Sequence, residues 1–317
     1  MKKVLVTTKL LKSNEERISK LWDTKLNLNN EIYSTNELIE LSKDCDGILS
    51  SVIDKIDEKT INKLSNKVRI ISNFAVGFGN IDIEAASKRN IIVTNTPDVL
   101  TDATAEIAML LILGASRRAA EGMQWVRNKN WKWSVDFLIG QQLFGSRLGI
   151  LGMGRIGRAV AKRAKAFGME IHYHNRSKLN RDLEAGAIYH ENIQSLFSIC
   201  DILSINCPAT KETKNIINKK TLEFFSKEAI ITNSARGDMI DDNAMVAALK
   251  DKRIFAVGLD VYNGEPNIHP GYLKLPNVFI LPHLGSATKK TRTDMADLAI
   301  NNIEEFFKSG KCINKVN

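Results

Sequence analysis

The stretch Arg147-Leu148-Gly149-Ile150-Leu151-Gly152-Met153-Gly154-Arg155-Ile156-Gly157 constrains the fold of this chain more than any other. Its apolar first half is fit for a buried strand, its second half sets glycines at 152, 154 and 157, and Arg158 to Phe167 then reads as a helix. Strand, glycine turn and helix in that order form a dinucleotide-binding fingerprint. The first glycine permits the tight turn and the second lets backbone approach a pyrophosphate. The third lets helix and strand pack closely, with the helix N-terminus facing the negative charge. The flanking strand and helix separate this pattern from a turn that is merely rich in glycine.

The turn stands within a longer alternation. After it, Glu170 to His174, Ile202 to Asn206, Ala229 to Asn233, Phe255 to Leu259 and Val278 to Leu281 read as strands, with helices at Ile193 to Ser198, Lys219 to Phe225 and Asn243 to Lys250. That is the succession of a doubly wound parallel sheet. A similar alternation precedes it: strands at Lys3 to Thr8, Gly47 to Ser51, Arg69 to Phe74 and Ile91 to Asn95, helices at Glu15 to Lys25, Glu37 to Lys43, Glu58 to Leu64 and Ile83 to Lys88. Pro97 breaks the first series. Thr101 to Arg118 reads as a largely apolar helix, fit for a spine between domains, and Trp125, Trp131 and Trp133 follow in a stretch without clear period. Tryptophans so placed suit packing or a subunit interface. The tail, Thr291 to Lys308, has helical spacing and lies beyond the last strand of the second series, which lets it return to the first domain.

A chain of 317 residues is long enough for two such domains. Hydrophobic residues at 44% and charged residues at 26% are the balance of a soluble globular protein, and no apolar run approaches a membrane span. Met1-Lys2-Lys3 before Val4-Leu5-Val6 is cut short by Thr7, Thr8 and Lys9, which favours an N-terminal strand over a signal peptide. The cysteines 45, 200, 207 and 312 show no C-x-x-C spacing, so reduced thiols and a cytoplasmic location are expected. The net charge of +9 suits anionic ligands, but its basic residues are scattered and carry no nucleic-acid motif. Neither nucleic acid nor membrane is expected as a partner.

Cofactor preference is read at the end of the strand after the glycine turn. A carboxylate usually binds the ribose 2′-hydroxyl of NAD there. This chain has Asn175, Arg176 and Ser177 instead. Arginine can pair with a 2′-phosphate, and the other two side chains can hydrogen-bond it. NADP(H) is therefore expected to be preferred, with NAD possible.

Three further segments place polar residues just after strands, at the edge where open α/β sheets bind ligands. They are Ile231-Thr232-Asn233-Ser234-Ala235-Arg236-Gly237-Asp238, Gly258-Leu259-Asp260-Val261-Tyr262-Asn263-Gly264-Glu265-Pro266 and Leu281-Pro282-His283-Leu284-Gly285-Ser286-Ala287-Thr288. With the glycine turn, they resemble the D-isomer-specific 2-hydroxyacid dehydrogenases. Asn95-Thr96-Pro97-Asp98-Val99-Leu100-Thr101-Asp102-Ala103-Thr104-Ala105-Glu106 and Val76-Gly77-Phe78-Gly79-Asn80-Ile81-Asp82 look most like the glyoxylate and hydroxypyruvate reductases of that family. The similarity runs from about Asp46 to the C-terminal helix.

The resemblance implies an α/β fold of two doubly wound parallel-sheet domains. A Rossmann dinucleotide-binding domain, residues 99–286, would be inserted into a discontinuous flavodoxin-like substrate-binding domain, residues 1–98 plus 287–317. It also implies a homodimer joined through the cofactor domains. Carried over position by position, Arg236, Glu265 and His283 match the family's catalytic trio. The residue types fit a hydride transfer to the carbonyl carbon of a 2-oxo acid. His283 can protonate the carbonyl oxygen, Glu265 can orient the imidazole and stabilise its charged form, and Arg236 can hold substrate oxygens with a planar fork. For the cofactor the resemblance adds Thr104, Cys207, Pro208, Thr213, Ala235, Asp260 and Gly285 to Gly152, Met153, Gly154, Arg155, Ile156, Gly157, Asn175, Arg176 and Ser177. For the substrate it adds Val76 and Gly77, whose backbone N–H groups can form a nest for a carboxylate, and more loosely Ser51 and Val52. His172, His174, His190 and His269 form no ligand set at metal spacing, so no metal is expected.

Three alternatives stay open at this stage. Phosphoglycerate dehydrogenase is a rival within the family, weakened because its longer forms carry a regulatory domain for which this chain, ending at Asn317, has no room. Formate dehydrogenase is less favoured, since that branch lacks a glutamate in the role given to Glu265. A dinucleotide-sensing corepressor would keep the trio but usually has terminal extensions, which are not seen here.

Overall fold

A computed structural model describes residues 1–317. The chain divides into two compact units. One is Met1–Leu100 together with Ala287–Asn317, and the other is the intervening Thr101–Ser286.

The first unit holds five parallel strands, β1 (Lys3–Val6), β2 (Asp23–Lys25), β3 (Gly47–Ser51), β4 (Ile70–Phe74) and β5 (Ile92–Thr94), in the order β2-β1-β3-β4-β5. This is the flavodoxin-like order, which reverses direction between β1 and β3. Every residue of β3 is buried, as expected of a strand covered on both faces. Four helices connect the strands: α1 (Lys12–Leu21), α2 (Thr35–Leu41), α3 (Glu58–Lys63) and α4 (Ile83–Lys88). Ser34, Asp57 and Asp82 start the last three by accepting a backbone N–H in the first turn. Sequence spacing placed a helix over Glu15 to Lys25, whereas α1 ends at Leu21 and β2 follows. The helix stops because Trp22 is extended and turns inward, edge-on to Phe307 at 5.5 Å. Polar Asp23-Thr24-Lys25 then forms an edge strand with no apolar signature.

The second unit begins with two helices, α5 (Thr101–Ser116) and α6 (Ala119–Arg127). Its seven parallel strands are β6 (Arg147–Leu151), β7 (Glu170–His174), β8 (Ile188–Tyr189), β9 (Ile202–Ile205), β10 (Ile230–Asn233), β11 (Ala256–Leu259) and β12 (Val278–Ile280). Their order is β12-β11-β10-β9-β6-β7-β8, a Rossmann sheet that reverses between β6 and β9. The connecting helices are α7 (Arg155–Ala166), α8 (Arg181–Glu184), α9 (Ile193–Ile199), α10 (Lys219–Leu222) and α11 (Asp242–Lys250). In this unit α5 packs on α7, β10 and β11. Gly258 permits that approach, since a Cβ there would stand 2.9 Å from the Leu111 carbonyl oxygen of α5. The aperiodic tryptophan stretch begins as helix α6, but Met123, Val126, Trp131 and Trp133 are at least half exposed. The last helix, α12 (Lys289–Ser309), runs from a Thr288 cap to Gly310 in the left-handed region and belongs to the first unit. There Ala296, Ala299, Ile300 and Ile303 pack with Val4, Val6, Leu49 and Ile70. Each large apolar side chain so buried contributes about 1.5–3 kcal/mol. No helix is long and apolar enough to cross a membrane.

Candidate active site

The glycine turn occupies the reversal point of the second sheet. Gly152 has φ +93°, and any Cβ there would collide with the backbone of Cys207 in the loop after β9. Gly157 lies in the first turn of α7, which starts at Arg155 rather than Arg158, and a Cβ there would collide with the Gly152 carbonyl. Gly154 is different: nothing lies within 4 Å of where its Cβ would stand. It is also the N-cap of α7 and supplies no side-chain cap, so the Ile156 and Gly157 N–H groups of the first turn suit an anion. Buried Asn206 Oδ1 and Ser234 Oγ, after β9 and β10, have no partner in the protein. An open glycine, an uncapped helix and orphaned polar atoms on one sheet edge fit a bound dinucleotide.

These contacts separate the glycines by experiment. Gly157→Ala is expected to cost about 1–3 kcal/mol of stability through overpacking. Gly154→Ala should melt like the native protein yet bind the nicotinamide cofactor about tenfold more weakly, as measured by fluorescence titration. Native cofactor affinity in folded Gly154→Ala would remove the pyrophosphate from this position.

At the end of β7, Asn175 Oδ1 accepts the Met153 N–H at 2.7 Å, so its amide oxygen braces the turn. Arg176 and Ser177 are exposed, and the charge of Arg176 reaches Glu212. The hydroxyls of Thr213 and Thr104 bond within the protein. The Thr213 hydroxyl donates to the Pro208 carbonyl at 2.9 Å, and that of Thr104 donates to the Gly285 carbonyl at 3.0 Å. Both hydroxyl protons are engaged within the protein. Cys207 Sγ contacts Met239 Sδ at 3.7 Å, and burial pushes the thiol up to about 11, which disfavours a nucleophilic thiolate.

The loops after β10, β11 and β12 meet around Glu265. His283 Nδ1 lies 2.6 Å from Glu265 Oε2, and Glu265 Oε1 accepts the Tyr262 N–H at 2.8 Å. Burial alone would raise the Glu265 carboxyl, but His283, the Tyr262 N–H and Arg236 outweigh it and hold the group below the usual carboxylate range. His283 has φ +55°. Fully buried Asp260 fixes the segment beyond it by accepting the N–H groups of Leu284 at 2.7 Å and Gly285 at 2.9 Å. It thus braces the histidine loop with both oxygens. Arg236 donates to the Ala235 carbonyl at 2.6 Å, while Asn233 accepts the Ala235 N–H and donates to the Arg236 carbonyl. Burial lowers the Arg236 guanidinium from its usual value, opposed by the charges of Glu265 and Asp238.

Sequence reasoning missed Tyr262 and Gly237. The Tyr262 hydroxyl donates to the Leu281 carbonyl at 2.6 Å and so ties the glutamate loop to the histidine loop. A Cβ on Gly237 would collide with the Tyr262 carbonyl. The glycine beside Arg236 was the available signal.

Residues 109–285 match the family described as D-isomer specific 2-hydroxyacid dehydrogenase, NAD binding domain. The chain belongs to this family. It is 40% identical to a glyoxylate reductase from Thermococcus litoralis, covering 99% of this chain and 96% of the relative. It is 39% identical to a glycerate dehydrogenase from Hyphomicrobium methylovorum over 96% of each chain. Among solved structures, an NADPH-dependent glyoxylate/hydroxypyruvate reductase from Sinorhizobium meliloti, in complex with NADP and malonate, superposes with a TM-score of 0.89 at 32% identity. That match covers 99% of this chain and 96% of the other. The protein is an NAD(P)-dependent D-2-hydroxyacid dehydrogenase of the glyoxylate reductase-like kind.

In the first unit, Val52, Val76 and Gly77 lie on loops after β3 and β4 and are partly exposed. Ser51 does not suit substrate contact. It is 5% exposed, and its N–H and hydroxyl both donate to Asp54 Oδ2, at 2.6 and 3.2 Å.

Proposed function

We propose that this dehydrogenase reduces small 2-oxo acids such as glyoxylate and hydroxypyruvate to D-2-hydroxy acids, preferring NADPH. The observation that carries the chemistry is the 2.6 Å His283–Glu265 pair. With Nδ1 held by an ionised glutamate, Nε2 is the ring nitrogen free to deliver a proton. When bound, the reduced nicotinamide supplies the hydride for the carbonyl carbon. His283 gives its proton to the carbonyl oxygen as negative charge grows there, and Arg236 binds substrate oxygens through its guanidinium. In the first unit, backbone N–H groups at Val76 and Gly77 take the substrate carboxylate. The names of the glyoxylate reductase and glycerate dehydrogenase relatives support this substrate class.

The cofactor turn, from Gly152 to Gly157, holds the pyrophosphate, and Arg176 with Ser177 takes the 2′-phosphate. The Asn175 amide oxygen is occupied by the Met153 N–H, and its N–H₂ end is a donor that tolerates a phosphate where a carboxylate would repel it. Thr104, Cys207, Pro208, Thr213, Ala235, Asp260 and Gly285 shape the remainder of the cofactor site. Steady-state assays with both cofactors test the preference. kcat/KM with NADPH is expected to exceed that with NADH by about tenfold, and Arg176→Ala to remove the difference. A lower KM for NADH than for NADPH in the native enzyme would refute it.

We further assign a homodimer, supported by the exposed apolar stretch at Met123, Val126, Trp131, Trp133 and Val135 in the cofactor unit. Four cysteines without a disulfide fit a reducing cytoplasm.

A further inference from the structure

The loops that follow β3 and β4 in the first unit are laced together by three asparagines. Strand register sets Ser50 beside Asn73 and Ser51 beside Phe74, so the two loops leave the sheet side by side. Asn73 is fully buried. Its Oδ1 accepts from Ser50 Oγ at 3.1 Å, and its Nδ2 donates to the Gly77 carbonyl at 3.0 Å and to Asn80 Oδ1 at 3.2 Å. Asn80 Nδ2 donates across to the other loop, to the carbonyls of Ser51 at 3.0 Å and Asp54 at 3.1 Å. Asn95 Nδ2 donates to the Val76 carbonyl at 2.8 Å, and the Thr96 N–H donates to the Ala75 carbonyl at 2.9 Å.

The geometry of the peptide bond gives these contacts a consequence. In a trans peptide the carbonyl and the following N–H point in opposite directions. Holding the carbonyls of Ser51, Ala75, Val76 and Gly77 therefore turns the N–H groups of Val52, Val76, Gly77 and Phe78 away from the groups that hold them. No protein acceptor takes any of those four N–H groups. A run of oriented, unclaimed backbone donors is an anion receptor. The carboxylate nearest to it in sequence, Asp54, faces Thr7 and Ser51. Its charge is taken up by the Ser51 N–H and by the hydroxyls of Ser51 and Thr7, against the upward push of burial.

We propose that Asn73, Asn80 and Asn95 are positioning residues that preorganise the Val52 and Val76–Phe78 N–H groups as one cradle for the substrate carboxylate. This rests on the reading of the protein as a 2-oxo acid reductase. The asparagine side chains themselves touch no substrate; they act through the peptide planes that they fix.

The test uses full-length Asn80→Ala and Asn95→Ala, each loaded with NADP⁺ and titrated with oxalate, alongside steady-state reduction of glyoxylate. Losing a hydrogen bond that orients a receptor group is expected to raise both the oxalate Kd and the glyoxylate KM roughly tenfold. kcat should stay within about threefold, and NADPH affinity, measured in the other unit, should not change. A merely structural role would lower stability without this KM-against-kcat split. Folded variants with native oxalate affinity and native KM would overturn the proposal, as would a loss confined to kcat. If Asn80→Ala fails to fold, the partly exposed Asn95→Ala decides alone, with Asn95→Gln as the conservative rescue. Absence of turnover on every 2-oxo acid in the native protein would overturn the functional reading instead. The oxalate titration would still decide whether the cradle binds carboxylates and whether the asparagines govern it.

Discussion

His283→Ala is expected to lower kcat on a 2-oxo acid about a thousandfold while leaving NADPH affinity within about twofold, since general acid catalysis contributes about 10²–10⁴-fold. The expectation follows from a ring whose Nδ1 is fixed at 2.6 Å by Glu265, leaving Nε2 to carry the proton. Retention of about a tenth or more of native kcat would remove His283 as the proton donor. Glu265→Gln probes the partner. It keeps a hydrogen-bond acceptor but takes away the negative charge, so the pH above which reduction fails should move down. The acid side has the opposite sign. Glu265 sits below its ordinary value, so its contribution to the pair is in place above the usual carboxylate range and is lost only as pH falls through that lowered value. An unchanged alkaline limb in Glu265→Gln would count against the pairing.

Gly237→Ala should be the most damaging small substitution in the second unit. The added carbon would collide with the Tyr262 carbonyl, and the Tyr262 segment has nowhere to retreat. Its N–H holds Glu265, and its hydroxyl donates to the Leu281 carbonyl at 2.6 Å, with the Leu259 carbonyl 3.2 Å away. The expected loss is about 3 kcal/mol or more, at the upper end for overpacking, because the obstacle is backbone. Whatever protein folds should have Arg236 and Glu265 displaced and kcat reduced at least about tenfold. Chemical denaturation and steady-state kinetics on one preparation check both. Native stability with native kcat would show that the two loops are not in contact.

The central strands were legible because burial on both faces favours apolar and β-branched residues, as at Val4-Leu5-Val6 and Ile230-Ile231. The candidate trio Arg236, Glu265 and His283 was legible for a related reason: each residue follows such a strand, and the sheet edge collects whatever polar residues come next. Polar β2 and two-residue β8 carry no such signature and were not foreseen. Residue type also did not disclose where a hydroxyl points. Ser51, Thr104 and Thr213 were all read as ligand contacts, and each turns its hydroxyl to a protein acceptor. Gly237 went unread because the atom that requires it belongs to Tyr262, on the next strand's loop. Asn73, Asn80 and Asn95 look like ordinary loop punctuation until the carbonyls that they hold are known.

The left-handed backbone at His283 carries a further consequence. Outside glycine and asparagine such a conformation costs on the order of 1–3 kcal/mol, and here Asp260 holds it in place by accepting the two N–H groups that follow. A directed-evolution campaign that rewards heat resistance alone would drift toward His283→Gly or His283→Asn, gaining robustness and discarding the imidazole proposed as proton donor. Screens on this scaffold therefore need turnover as a co-selected trait, because at this one position durability and chemistry pull the sequence apart.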